Sequence, residues 1–235
     1  MPVLLALWSP KGGSGTSVVA AALALVSAGR GETRLADLGG DQPAILGLPA
    51  PMPAATLVDW LAAGPSAATE WLDDMAIPIV PGLSLLPGGS ATRAASSEAG
   101  AALAVAVRDG GAAVVDLGSG ADDFDGAGRA VVDVADGALM VLRPCYLALR
   151  RAVADPRLSS SAGAILVEEP GRALDADDVS AVLGIPVIGR VPVRAEIARA
   201  VDAGVLRDRL PAALANAAGG VLDRLAGLAG GRWAA

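Results

Sequence analysis

Short apolar runs alternate along this chain with Ala- and Leu-rich stretches of helical length. Residues 3–8 are apolar throughout, which predicts a strand buried on both faces. Residues 17–26 are apolar but longer and rich in Ala and Leu, and predict a helix that closes near Gly29. Strands are predicted near 33–38, at 77–80 and at 83–86, the first of the last two at a sheet edge because Pro78 cannot donate a ladder hydrogen bond. Further strands follow: one ending at Asp116, then 138–142, 162–167 and 185–189. Between them lie a short helix at 43–48 and small amphipathic helices at 56–61 and 67–72, with a proline-rich passage at Pro49, Pro51 and Pro53. Longer helices are predicted at 94–108, 126–134 and 147–154. Another starts at Asp175, with Asp177 and Asp178 at its positive end, and Ala/Leu-rich helices fill the remainder. Residues 155–161 look most like a loop. Strand–helix alternation of this kind is the signature of an α/β fold, a mostly parallel sheet with helices on both faces. With no internal repeat and no linker, residues 1–235 read as one domain.

The first strand and helix are joined by Ser9-Pro10-Lys11-Gly12-Gly13-Ser14-Gly15-Thr16-Ser17. Glycines in this position let consecutive backbone N–H groups point inward, and the helix N-terminus adds partial positive charge, so the turn can cradle an anion. Lys11 is the one lysine of the chain; the other 17 basic residues are arginine. Arg and Lys differ most where a compact point charge must meet a phosphate, so the placement of Lys11 is informative. The Ser17 hydroxyl stands where it can ligate Mg²⁺. The plainer alternative is an ordinary glycine-rich βα connection.

Lys11-Gly12-Gly13-Ser14-Gly15-Thr16-Ser17 resembles the deviant Walker A motif of the MinD/ParA ATPases, Lys-Gly-Gly-x-Gly-Lys-Thr. The resemblance implies a P-loop NTPase fold, a Rossmann-like three-layer sandwich. It makes Lys11 the signature lysine that reaches across a nucleotide-sandwich dimer to the partner's phosphates. Residues Gly12, Gly13, Ser14, Gly15, Thr16 and Ser17 would then hold the nucleotide, ATP with Mg²⁺. Thr16 replaces the lysine that in this family contacts the phosphates of its own subunit. Arg34-Leu35-Ala36-Asp37-Leu38-Gly39 is similar to the family's second strand and its Asp-x-Asp motif. Asp37 matches the first carboxylate; Gly39 replaces the second, which in the family positions the attacking water. Residues 112–120 resemble Walker B and switch II: Asp116 and Asp37 would hold Mg²⁺ through water, and Gly118 or Gly120 would let the switch approach the γ-phosphate. Losing one charge-assisted hydrogen bond, worth roughly 1.5–3 kcal/mol, lowers affinity about tenfold to a hundredfold. Losing the second carboxylate makes hydrolysis slow or absent, because phosphoryl transfer is mostly positioning and charge stabilisation.

Composition narrows the alternatives. The net charge of −7 argues against a broad nucleic-acid surface, although Arg150, Arg151 and Arg157 form either a local basic patch or helix-capping groups. Histidine is absent, which removes imidazole acid–base chemistry and imidazole metal ligands. The single Cys145 excludes an internal disulfide; it is either a semi-exposed thiol or a small buried residue. Aromatic content is 3% against 53% hydrophobic, so the core must be built of Ala, Val, Leu and Ile. No apolar run reaches the roughly 18 residues that span a bilayer, and the chain opens on a core strand rather than a signal sequence, which together imply a cytoplasmic protein. The stretch 210–228 reads either as a membrane-touching amphipathic helix or as a packing helix; it lacks the basic cluster of the former.

Within the family, Gly40-Asp41-Gln42-Pro43-Ala44-Ile45-Leu46-Gly47-Leu48 and Leu83-Ser84-Leu85-Leu86-Pro87-Gly88 resemble the CpaE/TadZ branch. That branch implies a homodimeric switch or scaffold for subcellular positioning, with partners in a pilus, polarity or division apparatus and only weak or indirect membrane association. Two other readings stay open: an active ParA-type ATPase that partitions DNA or other cargo, and a metallocentre-insertion ATPase. Glu168, near the place where the family contacts adenine, is either a base acceptor or a surface carboxylate.

Overall fold

In β1 (Leu4–Trp8), Leu4, Ala6 and Trp8 enter one apolar cluster while Leu5 and Leu7 enter another. Successive side chains of a strand point to opposite faces, so a strand that is apolar at every position must be covered on both. The same division recurs in β6 (Gly137–Leu142), with Ala138, Met140 and Leu142 on one face and Leu139 and Val141 on the other. The computed structural model describes residues 3–50, 55–89, 95–119 and 125–228. Among these the remaining strands are β2 (Thr33–Asp37), β3 (Ile77–Val80), β4 (Leu83–Leu86), β5 (Ala112–Asp116), β7 (Gly163–Glu168) and β8 (Val187–Pro192). They form one sheet in the order β3-β4-β2-β5-β1-β6-β7-β8. Every pairing is parallel except β3 with β4. β3 is at the edge, where Pro78 requires it to be.

One face of the sheet carries α3 (Leu57–Ala63), α4 (Glu70–Met75), α5 (Ser97–Ala106), α6 (Asp125–Val134), α7 (Tyr146–Ala154) and α8 (Ala176–Leu183). The other carries α1 (Thr16–Ala28), α2 (Gln42–Ile45), α9 (Ala195–Asp202) and α10 (Ala212–Leu228). With so few aromatic residues, close approach of backbones replaces bulk. Ala20, Ala21, Ala22 and Ala24 of α1 are fully buried. At Gly100 of α5 a Cβ would lie 2.3 Å from the Ala127 carbonyl oxygen of α6, so that helix pair tolerates no side chain there. Asp175 caps α8 by accepting from the Asp177 and Asp178 N–H groups, the arrangement that the acidic run predicts.

Three expectations need correction. Residues 155–161 are not a plain loop: Pro156–Ser160 form a 3₁₀ turn, started by Asp155, which accepts from the Arg157 backbone N–H. Arg157 is consequently buried, paired with Asp155 and stacked 4.4 Å from the Trp8 ring centre, so it belongs to no basic surface patch. The last strand runs Val187–Pro192 rather than 185–189, since Pro186 has no N–H to give the ladder and contributes only its carbonyl, to Ala164. Pro51, Pro53 and the predicted helix start at 94 lie outside the described residues.

The helix that ends the described chain is a packing element. Leu214, Ala218, Val221, Leu222 and Leu225 of α10 are buried in the cluster shared with α1 and β8. Among the described residues no helix is long and apolar enough to cross a membrane.

Candidate phosphate-binding site

β1 lies between β5 and β6, and the chain travels one way from it to β2 and the other way to β6, β7 and β8. The crevice outside such a reversal is where open α/β sheets bind ligands. The turn between β1 and α1 sits there. It is held by its own hydroxyls: Ser9 Oγ donates to the Lys11 carbonyl at 2.8 Å and Ser14 Oγ to the same carbonyl at 2.7 Å. The Ser9 N–H reaches the Gly118 carbonyl at 2.9 Å, which joins the turn to the loop after β5. Gly13 and Gly15 have φ of 73° and 89°, left-handed conformations that side chains rarely adopt. Gly15 is the N-cap of α1 and offers no side chain to it, and the first turn carries no acid. The first N–H groups of a 13-residue helix therefore receive no capping oxygen from a side chain, at the positive end of its dipole.

The chain places Lys11 at the rim of this turn, half-buried, with Nζ 3.5 Å from the Gly12 carbonyl. Among the described residues no carboxylate is within ion-pair distance of it. Gly12 is exposed, while Ser14, Thr16 and Ser17 are buried. Thr16 and Ser17 are the first two residues of α1.

Asp37 and Asp116 end neighbouring strands in register and are both fully buried. Asp37 accepts from the Gly40 N–H at 2.6 Å and the Gln42 N–H at 3.2 Å. Asp116 accepts from the Gly118 N–H at 2.9 Å and from Gln42 Nε2 at 2.7 Å, with the Ser17 hydroxyl as a further donor. Burial, and then the neighbouring Asp116 charge, push Asp37 up from its ordinary 3.8 to about 7. Burial also raises Asp116, against the pull of its three donors. Gly39 lies close against Asp116: a Cβ there would be 3.1 Å from Asp116 Oδ2. Gly118 has φ of 58° and is the second glycine of the crowded spot, whereas Gly120 lies outside the described residues.

These donor types fit a small hard cation: two desolvated carboxylates without a cationic partner among the described residues, joined by the Ser17 hydroxyl. Ser17, Asp37 and Asp116 would hold Mg²⁺, which supplies neutralising charge to phosphate oxygens when bound. The protein's own residues otherwise leave the start of α1 without a side-chain cap and keep two acids out of water.

Gln42 escapes a reading of the sequence. It is fully buried and touches both carboxylate sites, yet in the sequence it is one polar residue in a Gly-Asp-x-x run. The available signal was weak: a polar residue just before Pro43 and the apolar 44–46 stretch, where a solvent-facing residue would serve equally well. Glu168 and Glu169 line an open cavity of about 370 Å³ with Pro144, Arg172, Pro192 and Arg194. Val167, the residue before them, has its Cγ2 3.6 Å from where a Gly15 Cβ would stand. Glu169 is committed to Arg143 at 2.8 Å and to Arg172, and the Arg190 Nε is 3.6 Å from Glu168. Cys145 is half-buried and caps α7, its sulfur accepting from the Ala148 N–H at 3.4 Å. Among the described residues no group of three or more Cys, Asp or Glu side chains is arranged to hold a metal.

No protein-family model matches the chain, and no curated protein matches it. Solved structures do. A ParA family ATPase from Chlorobium tepidum superimposes with a TM-score of 0.75 at 22% identity, over 92% of this chain and 96% of the other. MinD in the MinC:MinD cell division complex of Aquifex aeolicus gives 0.74 at 22%, over 96% of each. The septum site-determining protein MinD of Pyrococcus horikoshii, complexed with Mg-ADP, gives 0.75 at 18%, over 98% of each. The fold is thus that of the MinD/ParA ATPases.

Proposed function

We propose that this chain is a nucleotide-responsive MinD/ParA-type switch or scaffold, of the CpaE/TadZ kind, that hydrolyses slowly or not at all. The observation that carries this reading is the α1 N-terminus, free of side-chain caps and of acid, beside two buried carboxylates and the Ser17 hydroxyl. Backbone N–H groups of residues 12–17 bind the phosphates of ATP; Ser17, Asp37 and Asp116 serve Mg²⁺. Gly118 gives the loop after β5 its freedom to follow the γ-phosphate. Lys11, at the rim and without a carboxylate partner among the described residues, serves a second copy of the chain across a nucleotide sandwich. Slow hydrolysis follows from Thr16 and Gly39: neither an in-cis ammonium nor a water-positioning carboxylate is present. Partners are proteins of a pilus, polarity or division apparatus. The MinC:MinD neighbour supports a protein partner as the output of such a fold.

Thermal unfolding with and without Mg-ATP tests nucleotide binding. Ligand at 100 times its dissociation constant stabilises by about 2.7 kcal/mol, a plain upward shift. Thr16→Lys is expected to enlarge the shift at equal ATP concentration. No shift in either protein would refute the reading.

Light scattering tests the dimer. Wild type is expected to double its molar mass with Mg-ATP, and Lys11→Ala to stay a monomer while keeping most of its ATP-induced thermal shift. A wild-type monomer under both conditions would remove the in-trans role of Lys11.

A further inference from the structure

Among the described residues, seven large hydrophobic side chains stand well exposed, and four of them belong to two adjacent helices: Tyr146, Leu147 and Val153 of α7 and Val182 of α8. Apolar side chains scattered singly need no explanation, whereas a group of them marks a contact surface. The two helices pack side by side on one apolar cluster, through Ala148, Leu149 and Ala152 of α7 and Ala176, Val179 and Leu183 of α8. Their outer faces therefore look outward together.

Charge is segregated between these two faces. α7 carries Arg150 and Arg151, both exposed, and no acid; α8 carries Asp177 and Asp178, both exposed, and no base. Among the described residues none of the four is ion-paired, and Asp178 lends only one oxygen to the Asp175 N–H. Two unpaired arginines without an acid depart from the rest of a chain whose net charge is −7. Opposite charges on neighbouring helices make a self-complementary surface, because a two-fold axis brings each helix onto the other's counterpart.

We propose that the α7–α8 face docks on the same face of a second copy of the chain, α7 of each copy lying on α8 of the other. β6 and β7 are parallel, and α7 and α8 each run back after one of them, so the two helices point the same way. A two-fold axis lying between and along the helices sets their starts level. Side chains of a helix lean toward its N-terminus, so Arg150 and Arg151 reach from mid-helix toward Asp177 and Asp178 in the first turn of the facing α8. Val153 and Val182, each one residue from the end of its helix, meet at the far end. The patch is small beside the roughly 20–30 residues a side of a standard interface, so dilute protein stays monomeric without nucleotide. Lys11 takes no part in this contact. Added to a nucleotide-gated dimer, a second two-fold contact builds tetramers or open chains, an assembly that suits a scaffold.

Sedimentation equilibrium of the full chain without nucleotide, from about 10 to about 500 micromolar, reads the contact. Wild type is expected to pass from monomer toward dimer over this range, and Lys11→Ala to do the same, so the result stands whether or not the nucleotide reading holds. Arg150→Glu combined with Arg151→Glu, and separately Asp177→Arg, are each expected to weaken self-association at least about tenfold, because like charges then face one another. An equimolar mixture of these two proteins is expected to recover association to within about threefold of wild type, since opposite charges again meet across both crossed contacts. Wild type that stays a monomer throughout overturns the proposal. So does a mixture that associates no better than either variant alone, the result that an outside acidic partner for α7 would give. Val182→Asp decides the matter should a charge reversal fail to fold: a charge set into the apolar end of the contact is expected to weaken association about tenfold, and an unchanged association constant overturns the proposal.

Discussion

Asp37→Asn is expected to raise the melting temperature above pH 7 and to flatten its fall between about pH 4 and pH 7. The sign follows from proton counting. An unfolded aspartate loses its proton near pH 4, whereas buried Asp37 keeps its proton up to about pH 7. Between those limits the native state binds more protons than the unfolded state, so stability falls as pH rises and levels off above 7. The change from 3.8 to about 7 corresponds to roughly 4 kcal/mol. Asp116, also raised, adds in the same direction. Asp133, Asp155 and Glu169 are held low by arginines and act oppositely, but only at lower pH, as they lose charge below the ordinary carboxylate range.

An asparagine at 37 removes the desolvated charge but keeps one acceptor for two N–H donors, a loss of about 1 kcal/mol. A net gain of about 3 kcal/mol remains at pH 8, roughly 6–12 °C in a chain of this size. Scanning calorimetry at pH 4.5 and pH 8 reads both the gain and the slope. A wild-type slope unchanged by the substitution would mean that Asp37 is not the proton holder. The stability forgone at neutral pH fits a site shaped for a cationic or anionic guest rather than for the empty fold.

The architecture was readable because both of its signals are periodic. Strands apolar at every position have to be covered on two faces, and β1, β6 and β7 are. The glycine turn was readable because left-handed backbone at Gly13 and Gly15 restricts the residue type. The contacts between strand ends were not. Nothing in the local sequence says that Gln42 reaches Asp116, a residue 74 positions away, or that Gly39 lies against the same carboxylate. Both are tertiary juxtapositions, produced by the in-register pairing of β2 and β5. The 3₁₀ turn at Pro156–Ser160 likewise depends on Trp8, whose indole N–H donates to the Ser161 hydroxyl at 3.0 Å.

The Gly39 contact gives the restoration experiment an asymmetric outcome. Gly39→Asp replaces the missing carboxylate, but its Cβ would stand 3.1–3.3 Å from the Asp116 carboxylate, tighter than ordinary contact. The new acid joins two buried acids whose ionisation is already opposed. Overpacking of 1–3 kcal/mol is the usual consequence of added bulk in a filled site, and a third like charge deepens it. Gly39→Asp alone is therefore expected to lower the melting temperature at pH 8 and to leave ATP turnover at the wild-type level. Thr16→Lys, which brings an ammonium to the first turn of α1, is expected to recover part of that stability. Combined, the two changes restore a charge stabiliser and a water-positioning group. Removing one such group commonly costs about 10²–10³ in rate, so the double variant should exceed either single variant by about a hundredfold in a phosphate-release assay. If Gly39→Asp alone turned over ATP as fast as the pair, hydrolysis in this fold would not need the in-cis lysine. If its melting temperature equalled that of wild type, the space beside Asp116 would be one that the chain can open at no cost.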